Sequence, residues 1–347
     1  MHANQAAGPL DAAGPTCGCA KNQVLAQFMT PSARHWQPKM VLAVQTGMRI
    51  IVAMLALLTG CSPSALLNAT VPSDGVQVTR DVPYGEGPRH RLDIYRPASA
   101  GGNAPLVVFL YGGSWRTGDK GMYGFVAKPL ASRGAVVVVP DYRLYPEVQF
   151  PAFLDDNARA VAWAAGHAAE LGADGRRVFV VGHSAGAYNA AMLALDPRYL
   201  AAAGFDRARL SGVVGLAGAY DFLPITGEDI KPVFATVDDG PLSQPVTYVD
   251  GRNPPLLLLA GTADTTVNPR NTSSLAARVR AAGGVARDGF YRGLGHIGIV
   301  TAFAPLFQGR APVLRDVSAF IAEGVASASG TQAEQGQRAA QADEPQH

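Results

Sequence analysis

Five short apolar runs, dominated by Val, Leu and Ala, recur through the middle of the chain and constrain its fold more than any other feature. They are Pro105–Leu110, Ala135–Val139, Val178–Val181, Val213–Leu216 and Leu256–Leu259. A strand that is apolar at every position needs cover on both faces, which a parallel sheet flanked by helices supplies. Helix-length stretches lie between the runs, at about 122–133, 152–170, 185–195 and 269–282, and a last one covers 311–323. This alternation predicts an α/β fold with a doubly wound, mostly parallel sheet. Arg89–Tyr95 alternates polar and apolar residues and reads as an early, half-exposed strand. Asp221–Tyr248 breaks the alternation, carries several prolines, and reads as a small cap or loop over the site. The folded body spans roughly residues 75–325, without an internal repeat.

Charge and cysteine usage remove several function classes. Charged residues make up 16% of the 347 positions, with a formal net charge of +2 and no clustered basic face. Nucleic acid is therefore not an expected partner. The three cysteines, Cys17, Cys19 and Cys61, all precede the body. It can hold no disulfide, thiolate nucleophile or cysteine-ligated metal, and Cys17-Gly18-Cys19 is too closely spaced for a C-x-x-C motif.

Residues 48–61 read Met-Arg-Ile-Ile-Val-Ala-Met-Leu-Ala-Leu-Leu-Thr-Gly-Cys. A basic start, an apolar run and small residues form the order of a secretory signal, too short to span a bilayer. Leu58-Thr59-Gly60-Cys61 resembles the bacterial lipoprotein box, which implies lipidation at Cys61 and, with Ser62 following, an outer-membrane lipoprotein facing the periplasm. Residues 48–60 are then the signal peptide and 61–74 a linker. Residues 1–47 are expected to be a poorly structured extension, with translation starting at Met48 or Met40. Residues 326–347 carry almost no large apolar side chain and are expected to be disordered.

Gly182-His183-Ser184-Ala185-Gly186 follows the run ending at Val181 and opens a helix-forming stretch. G-x-S-x-G in that strand–turn–helix context marks Ser184 as a nucleophile on a tight turn, with glycines letting strand and helix approach. His183 precedes the serine, so its side chain points away; it reads as packing or as support behind the site. Leu110-Tyr111-Gly112-Gly113-Ser114-Trp115 follows the first apolar run. The amides of Gly112, Gly113 or Ser114, with that of Ala185, are candidate donors to an oxyanion. Asp264 follows the last run and is the candidate acid. Asp250 precedes that run, and Asp288 falls in or beside a late strand. Of seven histidines only His296 lies in a Gly-rich loop after the acid, and Ser184, Asp264, His296 is the chain order of one hydrolase class.

These motifs together resemble the α/β-hydrolase superfamily over roughly residues 80–323. The resemblance is to its esterase and lipase branch with an H-G-G-x-W oxyanion segment, which includes hormone-sensitive-lipase-like esterases, carbohydrate-ester esterases and kynurenine formamidases. Pro140-Asp141-Tyr142-Arg143-Leu144-Tyr145-Pro146 is similar to the branch's structural D-Y-R-L-x-P segment. One position departs from the pattern: Tyr111 stands where the branch has histidine. The resemblance implies a small-molecule ester as substrate, an acyl-enzyme intermediate, and neither metal nor organic cofactor. Amide-type hydrolysis on the same machinery and a non-catalytic envelope binding protein are the rival readings. Trp115, Tyr188, Phe222 and Phe234 are candidates for a pocket wall or for core.

Overall fold

In the computed structural model, which describes residues 62–237 and 240–324, the apolar runs are strands of a single sheet. The expectations for residues 1–47, the signal, Cys17, Cys19, Cys61 and the tail over 326–347 lie outside the described residues. The strands are β1 (Val76–Pro83), β2 (Arg91–Pro97), β3 (Ala104–Leu110), β4 (Val136–Pro140), β5 (Ala173–His183), β6 (Leu210–Leu216), β7 (Leu256–Gly261) and β8 (Ala286–Tyr291). Their spatial order is β1-β2-β4-β3-β5-β6-β7-β8. β2 pairs antiparallel with β1 and β4; every other pairing is parallel.

The helices are α1 (Pro63–Ala69), α2 (Gly124–Ala131), α3 (Ala152–Gly166), α4 (Ala185–Leu195), α5 (Pro197–Ala202), α6 (Arg270–Ala281) and α7 (His296–Thr301), followed by a helix over 313–324. The two-residue period of the strands divides the apolar side chains between two cores. Val107, Phe109, Val181 and Leu259 pack with α2 and the 313–324 helix. Leu106, Val108, Val180 and Leu258 pack on the other face with residues of α3, α4 and α6. Each fully buried Val or Leu contributes about 1.5–3 kcal/mol. Central α4 is buried at all eleven positions, which its Ala-rich sequence permits because no polar stripe needs water.

Three local features differ from the sequence expectations. Arg89–Tyr95 was expected as a half-exposed strand, whereas β2 is the second strand of the sheet, with Leu92, Asp93, Ile94 and Tyr95 buried. The edge position belongs to β1, a largely exposed strand without an apolar run, bulged between Thr79 and Val82 where Asp81 takes φ 58. The stretch assigned as linker contains α1, whose Asn68 donates to Gly121 O at 2.8 Å and accepts from Phe125 N at 2.7 Å. The 221–248 excursion, expected as a small cap or loop, contains only short 3-10 turns among its described residues. It is fastened by Phe150 N to Val233 O (2.9 Å), Gln149 Nε2 to Pro232 O (2.7 Å) and Tyr188 Oη to Ser243 O (2.8 Å).

Candidate active site

The polar side chains that converge in the site follow the C-terminal ends of β5, β7 and β8, the edge at which open α/β sheets gather their ligands. Ser184 sits between β5 and α4 with φ 55 and ψ −120, backbone angles that glycine tolerates better than serine. Three glycines make the turn possible. A Cβ on Gly182 would overlap the Gly186 carbonyl, and one on Gly186 would overlap the Leu110 carbonyl. A Cβ on Gly112 would stand 2.9 Å from Ser184 Cβ. Strand, helix and the loop after β3 therefore meet on the serine because none of the three positions carries a side chain.

Ser184 Oγ lies 2.9 Å from His296 Nε2, and His296 Nδ1 lies 2.8 Å from Asp264 Oδ2. The other Asp264 oxygen accepts the amides of Thr266 and Val267, each at 2.9 Å. The Asp264 side chain is fully buried and that of His296 is 9% exposed. A carboxylate fixed on both oxygens holds the imidazole with its proton on Nδ1 and leaves Nε2 free to accept the serine proton. His296 is the first residue of α7, not a loop residue as the glycines around it suggested. The rival acids are engaged elsewhere. Asp250 pairs with Arg207 and Arg252, and Asp288 with Arg280 at 2.7 Å.

His183 is buried and packs at 5.0 Å, ring to ring, on His296. Its Nε2 lies 3.1 Å from the His296 carbonyl oxygen, to which it donates, and its Nδ1 has no partner. Burial, reinforced by the neighbouring imidazole of His296, pushes its pKa down to about 3, so the ring is neutral. The sequence places His183 as packing or as support behind the site, and its contacts are of both kinds, although nothing in the motif indicates which group the side chain reaches.

The loop after β3 turns sharply. Gly113, Ser114 and Trp115 take φ values of 130, 53 and 57. Arg116 N and Thr117 N both donate to Gly113 O. Among the described residues no acceptor takes the amides of Gly113, Ser114 or Ala185, the last being a free N–H at the start of α4.

Of the four aromatic candidates, Trp115, Tyr188 and Phe234 are core. Trp115 meets Tyr188 and Phe234 edge-on at 5.0 and 4.9 Å and donates Nε1 to Asn189 Oδ1. Partly exposed Phe222 lines a cavity of about 560 Å³, which also borders Ser114, Asp221, Ile225, Thr266 and Arg270. Among the described residues no group of three or more His, Cys, Asp or Glu side chains is placed to hold a metal ion.

Comparison with known proteins bears on this geometry. The family model BD-FAE matches residues 92–279, a span that includes Ser184 and Asp264 and ends before His296. Isoprenylcysteine alpha-carbonyl methylesterase ICME of Arabidopsis thaliana is 26% identical over 266 residues, covering 71% of this chain and 62% of that protein. Kynurenine formamidase of Danio rerio is 34% identical over 164 residues, covering 47% of this chain and 53% of that protein. The chain thus spans between about half and two thirds of the length of these curated relatives. Among solved structures, esterase B from Lactobacillus rhamnosis superposes with a TM-score of 0.66 at 21% identity, covering 86% of this chain and 99% of that one. That likeness identifies the fold as the α/β-hydrolase fold.

Proposed function

The chain belongs to the BD-FAE family, and from that membership we propose that it is a serine esterase with Ser184 as nucleophile, His296 as base and Asp264 as orienting acid. The observation that carries this reading is the unbroken hydrogen-bonded line from Ser184 Oγ through the imidazole to Asp264. His296 Nε2 takes the serine proton as Oγ attacks the acyl carbonyl. The free amides of Gly113, Ser114 and Ala185 receive the oxyanion, where such donors typically contribute about 100- to 1,000-fold in rate each. His296 then protonates the leaving alcohol, and a water that it deprotonates releases the acyl group from Ser184. The scheme uses no metal and no organic cofactor. A small-molecule ester is the substrate, and the cavity beside Ser114 offers room for its non-reacting part, with apolar Phe222 and Ile225 facing polar Asp221 and Arg270.

Amide-type hydrolysis is the second reading, favoured by the similarity to a kynurenine formamidase. A non-catalytic binding role is disfavoured by the bonding contact among all three triad groups. The test is hydrolysis of p-nitrophenyl esters from acetate to palmitate, beside an N-formyl anilide, by the native chain and Ser184→Ala. Ester turnover lost in the variant supports the proposal. Turnover of the anilide alone would replace it with the amide reading, and turnover surviving in Ser184→Ala would reject the triad.

A lipid anchor at Cys61 in the outer membrane is part of the same proposal. It is supported by Leu58-Thr59-Gly60-Cys61 and by Ser62 after it. Metabolic labelling with a fatty-acid analogue, lost in Cys61→Ala, is the expected result; equal labelling of both proteins would exclude the anchor.

A further inference from the structure

Tyr111 occupies the first position of the oxyanion segment, where the related pattern has histidine, and its side chain is completely buried. The ring is stacked between Tyr142 at 4.7 Å and Tyr123 at 5.6 Å. Its hydroxyl donates to Asp141 Oδ1 at 2.9 Å and accepts from Arg89 Nη2 at 2.6 Å. The same guanidinium nitrogen donates to Gly118 O at 2.9 Å, and Arg89 Nε donates to Tyr142 O at 2.7 Å. Tyr142 Oη closes the circuit by donating to Tyr111 O at 2.8 Å. Asp141 Oδ1 also accepts the amide of Lys120 at 2.8 Å.

These bonds fall on the two ends of one loop. Tyr111 opens it and Gly118 closes it. The positive-φ residues Gly113, Ser114 and Trp115, the first two of which present free amides, lie between them. Such angles cost on the order of a kcal/mol or more per non-glycine residue and persist only where the surroundings impose them. Within the loop the Gly113 carbonyl takes the amides of Arg116 and Thr117 (2.9 and 3.0 Å), with the Thr117 hydroxyl at 3.3 Å; from outside, Tyr145 N donates to Trp115 O at 2.8 Å and Trp115 Nε1 donates to Asn189 Oδ1 at 2.9 Å. What ties the two ends of the loop to each other is Arg89, whose planar fork reaches Tyr111, Gly118 and Tyr142 together. Gly118 is as tightly set, since a Cβ there would stand 3.0 Å from both Gly112 O and the Tyr111 ring. Burial, with Tyr142 and Asp141 beside it, raises the Tyr111 phenol well above its ordinary pKa, so it remains a donor to the carboxylate.

We propose that Tyr111, tied to Asp141 and Arg89, is a positioning residue that holds the amides of Gly113 and Ser114 in the geometry an oxyanion needs. The inference rests on the esterase reading and deepens it. A histidine at position 111 is shorter than tyrosine by a ring atom and the hydroxyl, so it does not reach both partners.

The experiment titrates active sites with a fluorophosphonate and measures kcat and KM for p-nitrophenyl acetate per titrated site. Tyr111→Phe keeps the stacked ring and removes both hydroxyl bonds; Arg89→Lys removes the fork. Both are expected to lower kcat by roughly 10- to 100-fold, the scale of a misplaced catalytic group, with KM within about twofold. Affinity for a boronic acid that forms a tetrahedral adduct on the serine should fall in parallel. Tyr84→Phe is the control. Tyr84 Oη also gives a buried hydrogen bond to Asp141, at the backbone oxygen, and does not touch the loop. It should lose thermal stability comparably while keeping kcat. Tyr111→His should not restore the rate. Equal effects of Tyr111→Phe and Tyr84→Phe on kcat, or wild-type kcat in both Tyr111→Phe and Arg89→Lys, would overturn the proposal. A wild-type protein that takes no fluorophosphonate would instead remove the esterase reading, and this inference with it.

Discussion

His183 donates its Nε2 proton to the backbone carbonyl of His296 at 3.1 Å, so the residue beside Ser184 in sequence holds the main chain of the proposed base. The bond crosses from the end of β5 to the start of α7. Replacing His183 by Phe keeps the bulk and leaves that carbonyl without its donor. The expected loss is about 1–3 kcal/mol in urea unfolding, the usual penalty for a buried group deprived of its partner. A lower kcat should accompany it as His296 loosens. A variant with wild-type stability and wild-type turnover would refute the role.

The same histidine makes stability depend on pH. Its pKa is pushed down to about 3 in the folded protein, against about 6.5 when the chain is unfolded. The unfolded chain therefore binds a proton that the folded one refuses. Stability is unaffected by this group above about pH 6.5 and falls as pH drops from there toward 3. Melting temperatures across that window should decline less steeply for His183→Gln than for the native protein. Parallel curves would place the acid sensitivity elsewhere.

Much of this was legible in the sequence, for reasons that particular residues make plain. Val178–Val181 read as a buried strand because every position is apolar, and Ala185–Leu195 read as a helix because nothing in it favours another conformation. Ser184, Asp264 and His296 could be singled out as candidates because their order along the chain and their strand-end positions are themselves chemical constraints, and the fold brings the three side chains into bonding contact. β1 was missed since a bulged edge strand needs no apolar run, and α7 since two glycines flank its start. The tie from Arg89 to Tyr111, Gly118 and Tyr142 leaves no periodic trace. It joins residues 22 to 53 positions apart, and only folding brings them together.

Two glycine-to-alanine changes should separate steric need from mere composition. Gly186→Ala places a Cβ into the Leu110 carbonyl and 2.6 Å from Tyr111 O, so β3 and α4 must move apart. The variant is expected to fold poorly and to lose turnover. Gly166→Ala, at the end of α3, meets nothing within 4 Å. It should be neutral or stabilising by up to about 1 kcal/mol, from the smaller entropy of the unfolded chain. Circular dichroism and ester turnover of both proteins decide the matter, and a fully active Gly186→Ala would contradict the packing described.

Asp264 offers a test of orientation as distinct from charge. Asp264→Asn keeps the shape, and the amides of Thr266 and Val267 still find the side-chain oxygen. The amide nitrogen then faces His296 Nδ1, which must turn acceptor, moving the imidazole proton to Nε2. The ring can no longer receive the serine proton. A loss of about 10,000-fold in kcat is expected, the scale seen where a triad histidine is held in the wrong tautomer. Burst titration at high pH should recover part of the rate, since hydroxide can substitute for the missing base. A loss below tenfold would mean that Asp264 is dispensable.

Ser184, the proposed nucleophile, also carries a backbone strain that can be measured apart from its chemistry. Its φ of 55 with ψ of −120 is a conformation that costs a non-glycine residue about 1–3 kcal/mol. Ser184→Ala removes the hydroxyl and keeps the Cβ, so the strain remains and stability should change little. Ser184→Gly removes both. Glycine adopts the angles without penalty, but loosens the unfolded chain by about 0.5–1 kcal/mol, which offsets part of the relief. The glycine variant should therefore unfold at a higher urea concentration than the alanine variant, although both have lost all turnover. That ordering would mean that the turn presenting the serine is held against its own preference, as expected where a functional site conflicts with stability. The reverse ordering would mean that the neighbouring glycines and the β3 loop relieve the turn completely.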